Sequence, residues 1–382
     1  MNLRPLLTVT ALAALPAAAF TLPARAQDAP ELPACENCAD ELTVVSWGGA
    51  YQTSQQKAYS EPYQAATDTD FTWDESSNEA VARMRAMEEA GNVTWDLVDV
   101  EGPDSQRLCD EGLAAEVDLD EILAPGDDGT AASEDMADSV INECFIPQIV
   151  FSTTFGYRTD VAEWNGAEPE NLCALFDTET FPGRRALETR PKKNLEWALL
   201  CDGVAKEDLY DVLSEPEGVE QALAKLDTIK DDVIWWSAGA ETPQLLADGE
   251  VVMGSTYNGR LFSVIEEQDQ PVKMLWDWQV FDFDGWVIPA DLPEERMNRV
   301  LHFLRFATDT QRLADRAKYI SYGPARASSQ PLVATHADLG IEMAPHMPTN
   351  PDNMSNYLVN NIEWWADNQD DVEARFQAWL AQ

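Results

Sequence analysis

Apolar segments of strand length alternate along this chain with amphipathic segments of helix length. ELTVVSW precedes YQTSQQKAYSEPYQAAT, TDFTWDES precedes NEAVARMRAMEEAG, and TWDLVDVEG precedes DSQRLCDEGLAAEV. Because parallel strands need a crossover between them, this order predicts a parallel sheet covered by helices. The alternation begins again after CFIPQIVFSTTFGYR, where DVIWWS and EVVMGSTYNG read as strands. We therefore predict an α/β protein of two lobes, each a mixed or parallel sheet flanked by helices.

The length of 382 residues agrees with two lobes, since a single hydrophobic core rarely grows beyond about 250–300 residues. No short repeat or flexible linker separates the two halves of the sequence, so we expect the lobes to be joined by extended crossings. The predicted first lobe comprises residues 41–150 and 284–332. The predicted second lobe comprises residues 151–283 and 333–382.

The first 26 residues have the pattern of an export signal. Arg4 gives a charged start, LLTVTALAALPAAAF is apolar, and ARA before Gln27 is a small-residue cleavage motif. Residues 27–40 would then form a leader. No later segment has the roughly 18 uninterrupted apolar residues of a membrane span, and no cysteine directly follows the cleavage motif to carry a lipid. We expect a soluble periplasmic protein.

Six cysteines in an exported chain are expected to form disulfides rather than metal sites or catalytic thiols, because the compartment is oxidising. Their spacing favours the pairs Cys109–Cys144 and Cys173–Cys201, which leaves the CENC motif at residues 35–38. A redox CxxC normally opens a helix, whereas this one lies in a Pro- and acid-rich leader. A redox role is therefore disfavoured.

The formal net charge of −44 disfavours nucleic acids and anionic membranes as partners. The three histidines are scattered without metal-ligand spacing, and the chain has no GxSxG, HExxH or Walker motif. We expect a monomer that binds no cofactor or metal and is not an enzyme. An exported hydrolase that uses a carboxylate pair, such as Glu101 with Asp284, is the remote alternative.

Aromatic and acidic residues stand where several predicted strands end. Trp47 and Tyr51 follow ELTVVS, Glu101 follows WDLVDV, Tyr257 follows EVVMGST, and Asp284 lies within VFDFDGW. Ligands of open α/β sheets bind outside the carboxyl ends of the strands. Aromatic rings attract organic cations by about 0.5–2 kcal/mol each, and carboxylates add charge-assisted hydrogen bonds. These positions predict a binding site for a small organic cation.

Five segments carry a resemblance that covers nearly all of the chain after the signal. They are LTVVSWGGAY, WDLVDVEGPDSQRLCDEGL, VIWWSAGAETPQLLADGEVVMGSTYNGR, FDFDGWVIPADLP and YISYGPARA. In this order they resemble the periplasmic binding proteins of ABC importers, of the polyamine (spermidine/putrescine) type. The resemblance implies a type II two-lobed fold that holds its ligand in the inter-lobe cleft and docks on transmembrane permease subunits. It implies a set of cleft residues: Trp47, Tyr51, Glu101, Tyr257, Asp284 and Tyr322.

One segment departs from the polyamine-binding pattern. Where polyamine binders carry a carboxylate pair, this chain has RRALETRPKKN, with five basic residues in ten positions: Arg184, Arg185, Arg190, Lys192 and Lys193. An arginine that faced the cleft would clamp a carboxylate, so Arg184 and Arg185 are site candidates and a betaine or sulfonium zwitterion is the alternative ligand. The other interpretations of this run are a solvated loop, a partner for nearby acidic residues, or a permease contact. Trp236 is a further candidate, although most of the 13 tryptophans are expected to pack in cores.

Overall fold

The computed structural model describes residues 32–382. The predicted signal at residues 1–26 and the start of the predicted leader lie outside the described residues. Within the part that is described, none of the helices combines the length and the apolar character that crossing a membrane requires.

The described residues form one mixed sheet of ten strands. The strands are β1 Glu41–Val45, β2 Asp70–Asp74, β3 Leu97–Glu101, β4 Ile146–Arg158, β5 Arg185–Glu188, β6 Val233–Trp236, β7 Met253–Tyr257, β8 Val272–Val287, β9 Gly323–Pro324 and β10 Tyr357–Val359. Their order is β2-β1-β3-β8-β4-β7-β5-β6, with β9 beside β4 and β10 beside β8. The predicted α/β fold with mixed sheets is confirmed.

Helices connect these strands and cover the sheet. They are α1 Gly49–Gln55, α2 Glu61–Thr67, α3 Ala80–Ala90, α4 Gly102–Asp110, α5 Leu119–Ile122, α6 Ala132–Asp135, α7 Asn194–Cys201, α8 Leu209–Leu213, α9 Pro216–Asp227, α10 Glu241–Ala247, α11 Asn258–Phe262, α12 Glu294–Ala307, α13 Thr310–Arg316 and α14 Ile362–Leu380. Parallel strand pairs occupy both ends of the strand order. β1 pairs with β2 and β3 at one end, and β5 pairs with β6 and β7 at the other.

Two long antiparallel strands join these parallel groups. β4 and β8 pair with each other over most of their lengths. At one end β8 pairs with β3, and at the other end β4 pairs with β7. The expected extended crossings are therefore these two strands. The predicted lobe boundaries at 150/151 and 283/284 fall inside them, and the exact division of the chain stays a prediction.

The C-terminal helix α14 contacts helices from both halves of the fold, α4 and α9. Its residues Trp365 and Phe376 are buried in the core that surrounds Trp197. Its first residue, Ile362, packs against α4 so closely that a Cβ at Gly102 would lie 2.8 Å from the Ile362 Cδ1 atom. A residue with a Cβ at position 102 would therefore require the Ile362 side chain to shift.

Three disulfides close loops in the described chain. The predicted pairs Cys109–Cys144 and Cys173–Cys201 are both present. Cys35 pairs with Cys38 within the CENC motif. That short leader lies along α12, where the Arg299 Nε atom donates a 2.6 Å hydrogen bond to the carbonyl oxygen of Ala39.

Candidate functional site

A pocket of about 260 Å³ lies between the two groups of parallel strands. Its lining contains six of the nine predicted site residues: Trp47, Tyr51, Glu101, Tyr257, Asp284 and Tyr322. Most of them lie at or shortly after the carboxyl end of a strand, where open α/β sheets bind ligands. Phe151, from the middle of β4, adds another ring to the wall. The structure thus brings this set together, and ligand contact by its members stays a prediction.

The turn after β1 explains the paired glycines of SWGGAY. Gly48 and Gly49 have φ values of 66° and 55°, which residues with a Cβ rarely adopt. A Cβ on Gly48 would also lie 3.0 Å from the carboxylate of Glu75. Only three residues separate the end of β1 from the start of α1, and Trp47 and Tyr51 both face the pocket.

Asp284 is the centre of a hydrogen-bond network at the base of the pocket. The Trp47 indole nitrogen donates to its Oδ2 atom at 2.6 Å, and the Tyr51 hydroxyl donates to its Oδ1 atom. The same hydroxyl lies 3.3 Å from the Oδ1 atom of Asp99. Beneath the pocket, the Arg316 guanidinium lies 4.2 Å from the ring centroid of Tyr51.

Burial and mutual repulsion change how this carboxyl pair ionises. Burial, with the charge of Asp99 nearby, raises the pKa of Asp284 well above its usual range. Burial also raises the pKa of Asp99, although Arg316 opposes the rise. The pair therefore gains from a further positive charge placed beside it, and an ammonium group in the pocket would supply one.

Glu101 has a different environment, although β3 and β8 place it directly opposite Asp284. Lys192 Nζ lies 2.7 Å from the Glu101 Oε2 atom and 3.3 Å from Oδ2 of Asp282. Burial alone would raise the pKa of Glu101, but Lys192, Lys193 and other cations hold it well below its usual range. Glu101 is thus ionised and already neutralised by protein cations.

Two arginines that the sequence prediction did not select also line the pocket. Arg190 donates from Nε to Glu188 at 2.6 Å, and its Nη2 atom lies 3.4 Å from the Tyr257 hydroxyl. Arg260 forms no ion pair within residues 32–382, and its Nε atom is buried without a hydrogen-bond partner there. A Cβ at Gly49 would lie 3.6 Å from Nη1 of Arg260. The guanidinium of Arg260 therefore lines the pocket without a counter-charge among the described residues.

Three predicted site residues lie outside the pocket lining. Arg184 is exposed, and Arg185 is fully buried with its guanidinium on the carbonyls of Leu175 and neighbouring residues. Both precede or begin β5, at the end opposite to the pocket, whereas Arg190 follows the carboxyl end of this strand. Trp236 is fully buried and supports the wall from behind, with its ring 6.2 Å from that of Tyr257.

The sequence contains part of the information needed to select the two additional arginines as site residues. Arg190 belongs to the basic run RRALETRPKKN, and only the strand boundary distinguishes it from Arg184 and Arg185. Arg260 follows Tyr257 within YNGR, immediately after a strand end. The direction of its side chain depends on the short helix α11, which the sequence pattern does not indicate.

The family model of bacterial extracellular solute-binding proteins matches residues 58–349. This chain belongs to that family. The gamma-aminobutyric acid-binding protein of Pseudomonas aeruginosa is 34% identical over 342 residues, which are 89% of this chain and 91% of the relative.

Solved structures show the same fold. The Atu4243-GABA receptor is 29% identical with a TM-score of 0.75, and the match covers 90% of this chain and 98% of the receptor. The periplasmic binding protein MotA of A. tumefaciens B6, solved in complex with glucopine, is 26% identical with a TM-score of 0.75 over 89% and 99% of the two chains.

These similarities confirm the predicted class, a solute-binding protein of an ABC importer with the type II fold. Its relatives are binding proteins rather than enzymes, in agreement with the prediction. They do not confirm the polyamine part of the prediction.

Proposed function

We propose that this protein captures a small ω-amino acid, of the gamma-aminobutyrate class, in the pocket and delivers it in the periplasm to the permease of an ABC importer. The observation that carries the proposal is the coexistence of a free guanidinium, that of Arg260, with the buried carboxyl pair Asp99 and Asp284. A ligand that bears one carboxylate and one ammonium complements both.

The other charges around the pocket neutralise one another. Lys192 and Lys193 face Glu101 and Asp282, and the Arg190 guanidinium pairs with Glu188; the ion pairs are Lys192–Glu101, Lys192–Asp282, Lys193–Asp282 and Arg190–Glu188. Once these balanced pairs are set aside, two charged groups remain at the pocket: Arg260 on one side, and the carboxyl pair beside Arg316 on the other. The pocket is therefore complementary to separated opposite charges rather than to a dication.

Each end of the ligand has a chemically suitable partner. A carboxylate accepts two parallel hydrogen bonds from a guanidinium, which is the arrangement that Arg260 offers. An ammonium group beside Asp284 gains a charge-assisted hydrogen bond and the faces of the Trp47 and Tyr322 rings. The volume of about 260 Å³ suits a small molecule of this kind.

A polyamine would fit this charge distribution less well. Its second ammonium needs another free carboxylate, and Glu101 already binds Lys192. The ammonium would also lie near Arg190 or Arg260, where like charges repel. Glycine betaine and dimethylsulfoniopropionate share the zwitterionic character of the proposed ligand, so the titration experiment includes both.

The relatives support the same class of ligand. The Pseudomonas aeruginosa protein and the Atu4243 receptor are both named for gamma-aminobutyric acid. For this chain we propose a hinged mechanism, in which ligand contacts from residues on both sides of the pocket favour a closed form that the permease recognises.

The test is calorimetric titration of the purified, ligand-free protein with gamma-aminobutyrate, putrescine, glycine betaine and dimethylsulfoniopropionate. We expect micromolar or tighter binding of gamma-aminobutyrate and much weaker binding of putrescine, measurable only at higher concentration. Tighter binding of putrescine would replace our proposal with the polyamine function. Binding of a methylated zwitterion alone would retain the charge arrangement but change the ligand, and absence of binding to all four would contradict the proposal.

A further inference from the structure

Lys193 is a buried lysine in an unusual backbone conformation. It is only 1% exposed, and its φ of 76° is one that residues with a Cβ rarely adopt. Its backbone N–H donates to Glu196 in the first turn of α7 at 2.8 Å. Any residue except proline could provide that contact, and glycine would relieve the backbone strain. The feature particular to lysine at this position is therefore its ammonium group.

This ammonium lies against the aromatic wall of the pocket. Lys193 Nζ is 5.7 Å from the ring centroid of Phe151 and 5.7 Å from that of Tyr257, and both rings line the pocket. Lys193 itself is not part of the lining. Within residues 32–382 its Nζ atom has no hydrogen-bond partner, and the Asp282 Oδ2 atom lies 3.6 Å away.

A resident ammonium changes what these two rings offer a ligand. The π-electrons of Phe151 and Tyr257 already attract Lys193, and a second cation against the same rings meets its charge in a partly dehydrated site. Asp282 balances the net charge of Lys193, but it lessens this local repulsion only in part, because its Oδ2 atom lies 3.6 Å from Lys193 Nζ without a hydrogen bond between them. The wall near Tyr257 thus disfavours a ligand ammonium, in spite of its aromatic character.

We propose that Lys193 determines the charge selectivity of the pocket, as a positioning residue that acts through the rings of Phe151 and Tyr257. It directs the single ammonium of the ligand toward Asp284 and rejects a second ammonium, so that ω-amino acids bind and diamines of similar length do not. This inference rests on the proposed function, since it explains how the site distinguishes an ω-amino acid from a diamine.

The experiment compares the affinities for gamma-aminobutyrate and putrescine in four variants, each by calorimetric titration. Lys193→Met removes the charge and keeps the length of the side chain, and Lys193→Gly removes the charge and relieves the backbone strain. Lys193→Arg retains the charge. Lys225→Met is the matched control, because Lys225 also lies over an aromatic ring, 5.1 Å from that of Phe176, outside the pocket lining.

We expect the ratio of putrescine affinity to gamma-aminobutyrate affinity to rise about tenfold or more in Lys193→Met and Lys193→Gly, as removal of one nearby charge predicts. Lys193→Arg and Lys225→Met should keep the wild-type ratio. An unchanged ratio in both neutral variants, with gamma-aminobutyrate still bound, would overturn the role of Lys193 and leave the proposed function intact. A wild-type protein that does not bind gamma-aminobutyrate would overturn both.

Discussion

The indole nitrogen of Trp47 donates a hydrogen bond of 2.6 Å to Oδ2 of Asp284, which lies 237 positions later in the chain. The contact joins the turn after β1 to the long strand β8, and both residues line the pocket. The hydrogen bond fixes the orientation of the Asp284 carboxylate relative to the Trp47 indole. Ligand binding should therefore depend on the indole N–H as well as on the ring.

Trp47→Phe retains an aromatic ring and removes this donor. We expect the affinity for gamma-aminobutyrate to fall about tenfold, because a hydrogen bond to a charged group contributes roughly 1.5–3 kcal/mol. Calorimetric titration measures the change. Trp95→Phe is the control, since the Trp95 indole also donates to an aspartate, Asp74, but lies away from the pocket. It should lower thermal stability without changing affinity, and an equal loss of affinity in both variants would contradict the prediction.

Arg260→Gln tests the free guanidinium. Loss of a buried charged partner typically costs about 2–5 kcal/mol, so gamma-aminobutyrate should bind at least about thirtyfold more weakly. Arg184→Gln changes the net charge equally at an exposed position outside the pocket, and its affinity should match the wild type. If Arg260→Gln bound the ligand normally, the carboxylate would have to be bound elsewhere.

The carboxyl pair should link ligand binding to protons. Burial raises the pKa of Asp99 to about 6, and burial beside Asp99 raises the pKa of Asp284 well above its usual range. A ligand ammonium favours the ionised pair, so binding should release protons near pH 6 and affinity should increase as the pH rises through this value. Titration at pH 6 in two buffers with different ionisation enthalpies measures the number of protons released. Identical heats in the two buffers would show that no proton is coupled to binding.

The same shift predicts how stability without ligand depends on pH. A folded-state pKa above the unfolded value means that the folded protein holds protons that the unfolded chain has lost. The stabilisation is complete below the ordinary aspartate pKa, near 4, and is lost as the pH rises through about 6. Urea unfolding at several pH values should show that the free energy of unfolding falls less between pH 4 and about pH 6 in Asp99→Asn than in the wild type. Equal pH slopes in the two proteins would exclude Asp99 as the source.

The disulfides should contribute unequally to stability. The Cys109–Cys144 bridge spans 35 positions and the Cys35–Cys38 bridge spans 3. In the chain-entropy model a cross-link stabilises more as its loop lengthens, so the Cys109→Ser/Cys144→Ser variant should lose roughly 4 kcal/mol and Cys35→Ser/Cys38→Ser less than half of that. Urea unfolding of both double variants measures the difference. The reverse order would indicate that strain or packing, rather than loop entropy, decides.

Local sequence patterns predicted much of the fold because they reflect short-range physics. The alternation of strands and helices follows from side-chain periodicity, and the positions of Trp47, Glu101 and Tyr257 follow from where apolar strands end. The family resemblance added Tyr322, which belongs to an irregular segment that no periodicity marks as a pocket wall. The spacing of the four lobe cysteines also sufficed to predict both of their pairs.

The basic run at residues 184–193 shows where such patterns stop being informative. Charge composition identified the segment as unusual, but the start of β5 at Arg185 decides that Arg184 and Arg185 lie away from the pocket and that Arg190 reaches it. The contact between Lys193 and Phe151 joins residues 42 positions apart, so it depends on tertiary packing that the local pattern does not specify.

The sequence by itself determined the α/β architecture, two disulfide pairings and the six pocket residues that stand at strand ends or in family-like segments. The tertiary structure alone decided the balance of charge. It paired Lys192 with Glu101 and left Arg260 facing the pocket without an ion pair among the described residues. The reason is that the electrostatic effect of a charge depends on its distance from other charges and on its burial, and the chain order of these residues specifies neither.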